Sequence, residues 1–113
     1  MMEKINTLLQ KYSHFKYDRL QSIQKLPNSY ILTIVVQDDE GEDLNSVEIE
    51  FTNINAEKIL VDSVLGYLDM GSGITIIKEH DLYGFAVGSG TAMLHVHSAP
   101  LYIVSSDIKI EEK

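Results

Sequence analysis

The sequence predicts an α+β domain, mainly antiparallel β, in which an N-terminal amphipathic helix packs on a curved sheet or partly open barrel of about seven strands. Three observations favour this class. The first fifteen residues carry apolar side chains at helical spacing, the rest of the chain reads as short β-rich runs between turn residues, and 113 residues suffice for one core. We therefore treat residues 1–113 as a single domain.

The helix is predicted over residues 3–15. Its apolar side chains recur at i, i+3, i+4, i+7 and i+10, which places them on one helical face: Ile5, Leu8, Leu9, Tyr12 and Phe15. Because a short helix in water is stabilised mainly by packing its apolar face, we expect this face to lie on the sheet.

Three strands are predicted to follow the helix. The runs "KYDRLQSIQKL" and "SYILTIVVQ" are separated by Pro27 and Asn28, which predicts a hairpin. The polar turn "QDDEGED" comes next. Beyond it, apolar side chains at 47, 49 and 51 alternate with polar ones at 48, 50 and 52, which is typical of a strand with one wet face.

The second half of the chain is less regular. Residues 56–70 fit both a helix and a strand, and we favour a strand followed by a short helical turn. Four further strands are predicted at 73–79, 82–88, 91–97 and 101–110, because glycines and Pro100 divide this segment into short β-rich runs.

The composition restricts the possible partners and compartment. The net charge of −8, from 17 acidic and 9 basic residues, disfavours nucleic acid and anionic membranes and favours a basic protein partner. The absence of cysteine excludes disulfides and thiolate metal sites. We find no signal peptide and no membrane-spanning run, so we expect a cytoplasmic protein. No complete catalytic or cofactor motif is present, and we expect neither an enzyme nor a cofactor.

Two histidines stand out in the predicted strand 91–97. Alternate residues of a strand project from one face, so His95 and His97 could ligate one metal ion together. The His-x-His pattern resembles the first metal motif of the cupins, although Ser89 and Ile108 stand where that motif has glycines, and Leu101 or Tyr102 where it has glutamate. The alternative is an exposed strand face, with Leu94 and Val96 turned to the core. Such a face could form a pH-sensitive partner interface.

Two other groups are candidates for partner binding. The acidic segment contains Asp38, Asp39, Glu40, Glu42 and Asp43, and could either steer a basic partner or simply form a solvated hairpin tip. Tyr83 and Phe85 alternate along a predicted strand, so they are either core residues or anchors at the centre of an interface.

A small, acidic, cysteine-free and mainly antiparallel domain with no catalytic constellation is similar to the immunity proteins of bacterial polymorphic-toxin and contact-dependent inhibition systems. The resemblance covers the whole chain at the level of its profile, with an alternating strand "SVEIEFTNI" followed by glycine-rich short strands. It implies a cytoplasmic protein that neutralises a cognate toxin, such as a nuclease, by binding it.

Under this resemblance the acidic segment would steer the toxin, and Tyr83, Phe85 or the face with His95 and His97 would supply contact area. Two alternatives stay open. One is a small metal-dependent β-barrel protein that uses His95 and His97, and the other is a self-associating module with an exposed edge strand.

Overall fold

Six antiparallel strands form one open sheet that carries short helices on both faces. The computed structural model describes residues 2–90 and 92–113. The helices are α1 (Met2–Lys11), α2 (Asp62–Leu65) and α3 (Met93–His97). The strands are β1 (Arg19–Leu26), β2 (Ser29–Gln37), β3 (Asp43–Lys58), β4 (Ile74–Glu79), β5 (Leu82–Val87) and β6 (Tyr102–Glu112), in the spatial order β1-β2-β3-β6-β5-β4.

The predicted fold class is confirmed in its main features and corrected in two. The described residues form an α+β domain with a mainly antiparallel sheet and a short N-terminal helix. The sheet has six strands instead of about seven, and it does not close into a barrel, because β1 and β4 remain its two edges.

The sheet consists of two three-stranded meanders joined along β3 and β6. The register of this central pair runs from Val47 opposite Glu112 to Lys58 opposite Tyr102. On the outer sides, β2 pairs with the first part of β3, up to Thr52, and β5 pairs with the first part of β6, up to Ser105. The hairpin β1–β2 and the hairpin β4–β5 therefore lie at opposite ends of the central pair.

The core lies between the sheet and α1. The predicted alternation of β3 is confirmed, because Val47, Ile49 and Phe51 are all fully buried and the polar residues between them are only partly buried. The Phe51 and Phe85 rings meet with centroids 5.3 Å apart and link the two meanders. Apolar side chains of α1 complete this core: Ile5, Leu8 and Leu9.

The helix α1 is held to the sheet by a polar cluster at its C-terminal end. The Glu112 carboxylate accepts hydrogen bonds from Lys11 Nζ, at 2.7 Å, and from the Tyr12 hydroxyl. Asn45 Nδ2 donates to the same hydroxyl at 3.2 Å. These contacts connect α1 to the last residues of β6 and the first residues of β3.

The helix ends four residues earlier than predicted. Ser13, His14 and Phe15 have φ values of 53°, 58° and 58°, so the chain makes a left-handed turn instead of continuing the helix. Phe15 is nevertheless fully buried, as its place in the apolar pattern predicted. The helical periodicity therefore predicted correctly that Phe15 is buried, but it did not predict the left-handed turn that places Phe15 in the core.

The predicted strand at 91–97 is wrong: the described part of this segment forms the short helix α3. Met93 and Val96, three residues apart, both pack on the sheet face opposite α1, near Ala86 and Val104. Gly84 permits this approach, because a Cβ there would lie 2.8 Å from Met93 Sδ. The Met93 N–H donates to Glu79 Oε2 at 2.8 Å, which satisfies one of the free donors of the first turn. Thr91 lies outside the described residues.

The remaining strand predictions are confirmed with small shifts of their ends. The hairpin at Pro27 and Asn28 joins β1 to β2. In the ambiguous segment 56–70 the short helical turn is confirmed as α2 (Asp62–Leu65), but no separate strand precedes it, because residues 56–58 are the end of β3 and residues 59–61 are not strand. The runs 73–79, 82–88 and 101–110 correspond to β4, β5 and β6.

We expect Gly73→Ala to destabilise the protein far more than Gly41→Ala. Both glycines have positive φ, +70° and +81°, so each substitution costs about 1 kcal/mol of backbone strain. At Gly73 the new Cβ would also overlap the His14 carbonyl, which raises the expected loss to about 3 kcal/mol, whereas Gly41 has open space. Urea unfolding of both variants measures the difference. Equal losses would show that the contact with the left-handed turn is unimportant.

Candidate partner-binding surface

The acidic segment forms a tight loop between β2 and β3, at one end of the sheet. Asp38 Oδ1 accepts the backbone N–H groups of Glu40 and Glu42, each at 2.9 Å, so this carboxylate holds the loop together. Asp43 accepts from Arg19 Nη2 at 3.2 Å and from Gln37 Nε2 at 3.0 Å.

Three carboxylates of the loop remain available to a partner: Asp39, Glu40 and Glu42. All three residues are exposed, and no side chain in residues 2–90 and 92–113 forms an ion pair with them. The five acidic residues predicted as one group therefore divide into two that shape and anchor the loop and three that project their charge into solvent.

A cleft of about 290 Å³ opens directly beside this loop. Arg19 and Gln37, which bind Asp43, also line the cleft, so the loop and the cleft share a wall. The lining comes from three separate segments of the chain: Tyr17, Asp18, Arg19 and Leu20; Gln37; and Leu65, Gly66, Leu68 and Met70.

Exposed apolar side chains cluster in the segments that form the cleft. Tyr17 lines the cleft and is 78% exposed. Tyr67 is 88% exposed and lies in the sequence between the lining residues Gly66 and Leu68. Val61 and Val64, on and beside α2, are also exposed. Tyr17 has a φ of +64°, and its N–H donates to the Met70 carbonyl at 2.8 Å, which fixes this residue at the mouth.

Asp18 is an acidic residue buried in the wall of the cleft, with only 8% of its surface exposed. Its Oδ1 accepts the backbone N–H of Gln37 at 3.1 Å. Burial raises the pKa of the Asp18 carboxyl above its ordinary value of 3.8, and the hydrogen bond from Gln37 opposes this rise. Burial therefore disfavours the charged form of this side chain.

Sequence reasoning missed Tyr17, Asp18 and Tyr67. Tyr17 and Asp18 lie at the start of the run "KYDRLQSIQKL", the predicted first strand, where no regular alternation assigns either side chain to a face. Tyr67 lies in the ambiguous segment 56–70. One usable signal was present, because aromatic side chains in a polar connecting segment are candidates for partner contacts.

Tyr83 and Phe85 are core residues and provide no surface in this structure. Phe85 is fully buried and Tyr83 is 8% exposed. Both rings are therefore core residues and not interface anchors. Any contact area for a partner must come from other residues.

His95 and His97 do not share a strand face, which corrects the geometry on which the metal hypothesis depended. They lie two residues apart on α3, and successive helical residues are rotated by about 100°, so the two side chains point in different directions. His97 contacts the Tyr102 ring, with centroids 5.1 Å apart, and His95 lines a second cleft of about 240 Å³. Leu94, predicted to face the core, is 75% exposed.

Within residues 2–90 and 92–113, no group of three or more histidine, cysteine, aspartate or glutamate residues is arranged to hold a metal ion. None of the described helices is long and apolar enough to cross a membrane. Comparison of the chain with protein-family models, with curated proteins and with solved structures finds no match.

We expect Asp18→Asn to increase the free energy of unfolding at pH 7. Asparagine keeps an oxygen that can accept from the Gln37 N–H but buries no charge. Because the folded state raises the pKa of Asp18, the native carboxyl contributes stability below pH 3.8 that is lost as the pH rises through the folded-state pKa. The advantage of the variant should therefore grow between pH 3 and pH 7.

Urea unfolding at these two pH values measures this difference, and Asp39→Asn is the matched control. This substitution removes the same charge from an exposed position, where it should change stability little. A loss of stability in Asp18→Asn at pH 7 would contradict the assignment of Asp18 as an unfavourably buried carboxylate.

Proposed function

We propose that this chain is a small cytoplasmic binding protein that neutralises a basic protein toxin, as an immunity protein does. The observation that carries the proposal is the combination, at one end of the sheet, of three loop carboxylates that have no ion-pair partner in the described residues with a cleft lined by the exposed Tyr17. Basic proteins are the partners that complement such a surface, because carboxylates and aromatic faces both attract cations.

Electrostatics supports the first step of this function. Toxins that act on nucleic acids bind phosphates and therefore carry basic surfaces. A chain of net charge −8 attracts such a protein from a distance, and the loop concentrates part of this charge beside the cleft. Attraction of this kind accelerates encounter and is screened beyond roughly 8–10 Å at physiological salt.

The exposed apolar side chains around the cleft support the second step, which is retention of the partner. Tyrosine is enriched among the residues that contribute most to protein interfaces, because it buries a large area at a low cost in side-chain entropy. Tyr17 offers this area at the cleft, and the exposed side chains of Val61, Val64 and Tyr67 lie in the segment that leads into the lining residues Leu65 to Met70. In this proposal they take the role first considered for Tyr83 and Phe85.

The proposal predicts that a gene for a basic protein lies beside the gene for this chain, and the test begins with that protein. Its production in bacteria should arrest growth, and co-production of this chain should restore it. The association rate constant of the two purified proteins should fall about tenfold at low salt in Asp39→Asn/Glu40→Gln/Glu42→Gln, because the guiding charges beside the cleft are gone. Stopped-flow measurements at low and high salt provide this comparison.

The matched control is Glu3→Gln/Glu57→Gln/Asp81→Asn, which removes three exposed carboxylates from other parts of the chain. It should slow association much less than the loop variant. Equal slowing by both variants would show that total charge, not the loop, guides the partner. A neighbouring protein that does not arrest growth, or arrest that this chain does not relieve, would reject the function itself.

A further inference from the structure

We infer that the cleft is an anchor site for one arginine side chain of the partner, with its guanidinium held between the Tyr17 ring and the Asp18 carboxylate. This inference rests on the proposed function, since it assumes that the cleft end of the sheet meets a basic protein. It adds the chemical identity of the group that enters the cleft.

The Asp18 carboxylate uses only one of its two oxygens in a hydrogen bond with the described residues. Oδ1 accepts the Gln37 N–H, and no group in the described residues donates to Oδ2. Every fully enclosed side-chain oxygen or nitrogen in the described part of the chain has a hydrogen-bond partner. Oδ2 therefore keeps some accessible surface, and Asp18 lines the cleft, although 92% of the surface of this residue is buried.

The described residues provide no cation that pairs with this carboxylate. Arg19 follows Asp18 directly, but its guanidinium pairs with Asp43 on the acidic loop at 3.2 Å. No lysine, arginine or histidine in residues 2–90 and 92–113 forms an ion pair with Asp18. A buried carboxylate without a counter-ion costs free energy, and a cation supplied by a partner would recover it.

Tyr17 lines the cleft directly next to Asp18 in the sequence, and its side chain is exposed. Its positive φ and its hydrogen bond to Met70 turn the residue outward next to the inward-facing Asp18. An aromatic face beside a carboxylate can hold a cation by two attractions at once, one from the π system and one from the charge.

Arginine fits this arrangement better than lysine. Its planar guanidinium stacks on aromatic rings, is more weakly hydrated than an ammonium group and is suited to buried ion pairs. The apolar lining can pack against the methylene groups of the incoming side chain: Leu20, Leu65, Leu68 and Met70. A volume of about 290 Å³ exceeds by far the roughly 30 Å³ of one water molecule and admits a side chain.

The test uses N-acetyl-arginine amide as the probe and the neutral N-acetyl-citrulline amide as its control. Protein labelled with ¹³C at aspartate carboxyl groups is titrated with each compound and followed by NMR. The arginine probe should shift the Asp18 carboxyl and Tyr17 ring signals in a saturable way, and the citrulline probe should not. Asp18→Asn should weaken binding of the arginine probe at least about tenfold, as judged from the Tyr17 signals.

Asp39→Asn is the control variant, because it removes one negative charge, as Asp18→Asn does, but leaves the cleft intact. It should bind the probe nearly as the native protein does. The inference is overturned if the Asp18 signal does not respond, if citrulline binds as well as arginine, or if Asp18→Asn binds equally well. N-acetyl-lysine amide binding as tightly as the arginine probe would overturn the preference for guanidinium.

This outcome is separable from the outcome for the proposed function, because the probe requires no toxin. A chain that binds the arginine probe but protects no cell keeps its anchor site and loses the immunity role. A chain that protects cells as well with Asp18→Asn as with the native residue keeps the immunity role and loses the anchor.

Discussion

The pairing of β3 with β6 is the constraint on which the rest of the structure depends. It joins two meanders that would otherwise be separate three-stranded sheets, and it brings Phe51 and Phe85 into contact in one core. It also fixes the end of β6 near the start of β3, where Glu112 holds the C-terminal end of α1. The segment after α1 can then pass along the sheet and deliver Tyr17 and Asp18 to the cleft.

The candidate site lies where three segments distant in sequence meet, and its local features are individually unfavourable. Tyr17 adopts a positive φ, Asp18 buries a carboxylate, and the loop beside them gathers like charges. Such features persist only where the surrounding fold stabilises them, and they tend to occur at functional sites. Here the apolar packing of Leu65 and Met70 and the ladders of the neighbouring strands provide that support.

Sequence periodicity correctly predicted the helices and strands that bury one face along their whole length. The alternation around Ile49 and the helical stripe that includes Leu8 each reflect one buried face, so the pattern is sufficient. It failed at Leu94 to His97, where a five-residue helix has too few residues to distinguish its period from that of a strand. The acidic loop was visible in the sequence, but the cleft was not, because it depends on contacts between residues far apart in the chain.

The central position of β6 has a consequence for synthesis on the ribosome. The first meander emerges before β6, so the inner edge of β3 has no partner while the intervening strands are still being made. An unpaired strand edge that carries apolar core residues on one face can pair with other nascent chains and so promote aggregation. Glu48 and Glu50 alternate with those residues, and like charges placed opposite each other disfavour pairing of this strand with a second copy of itself.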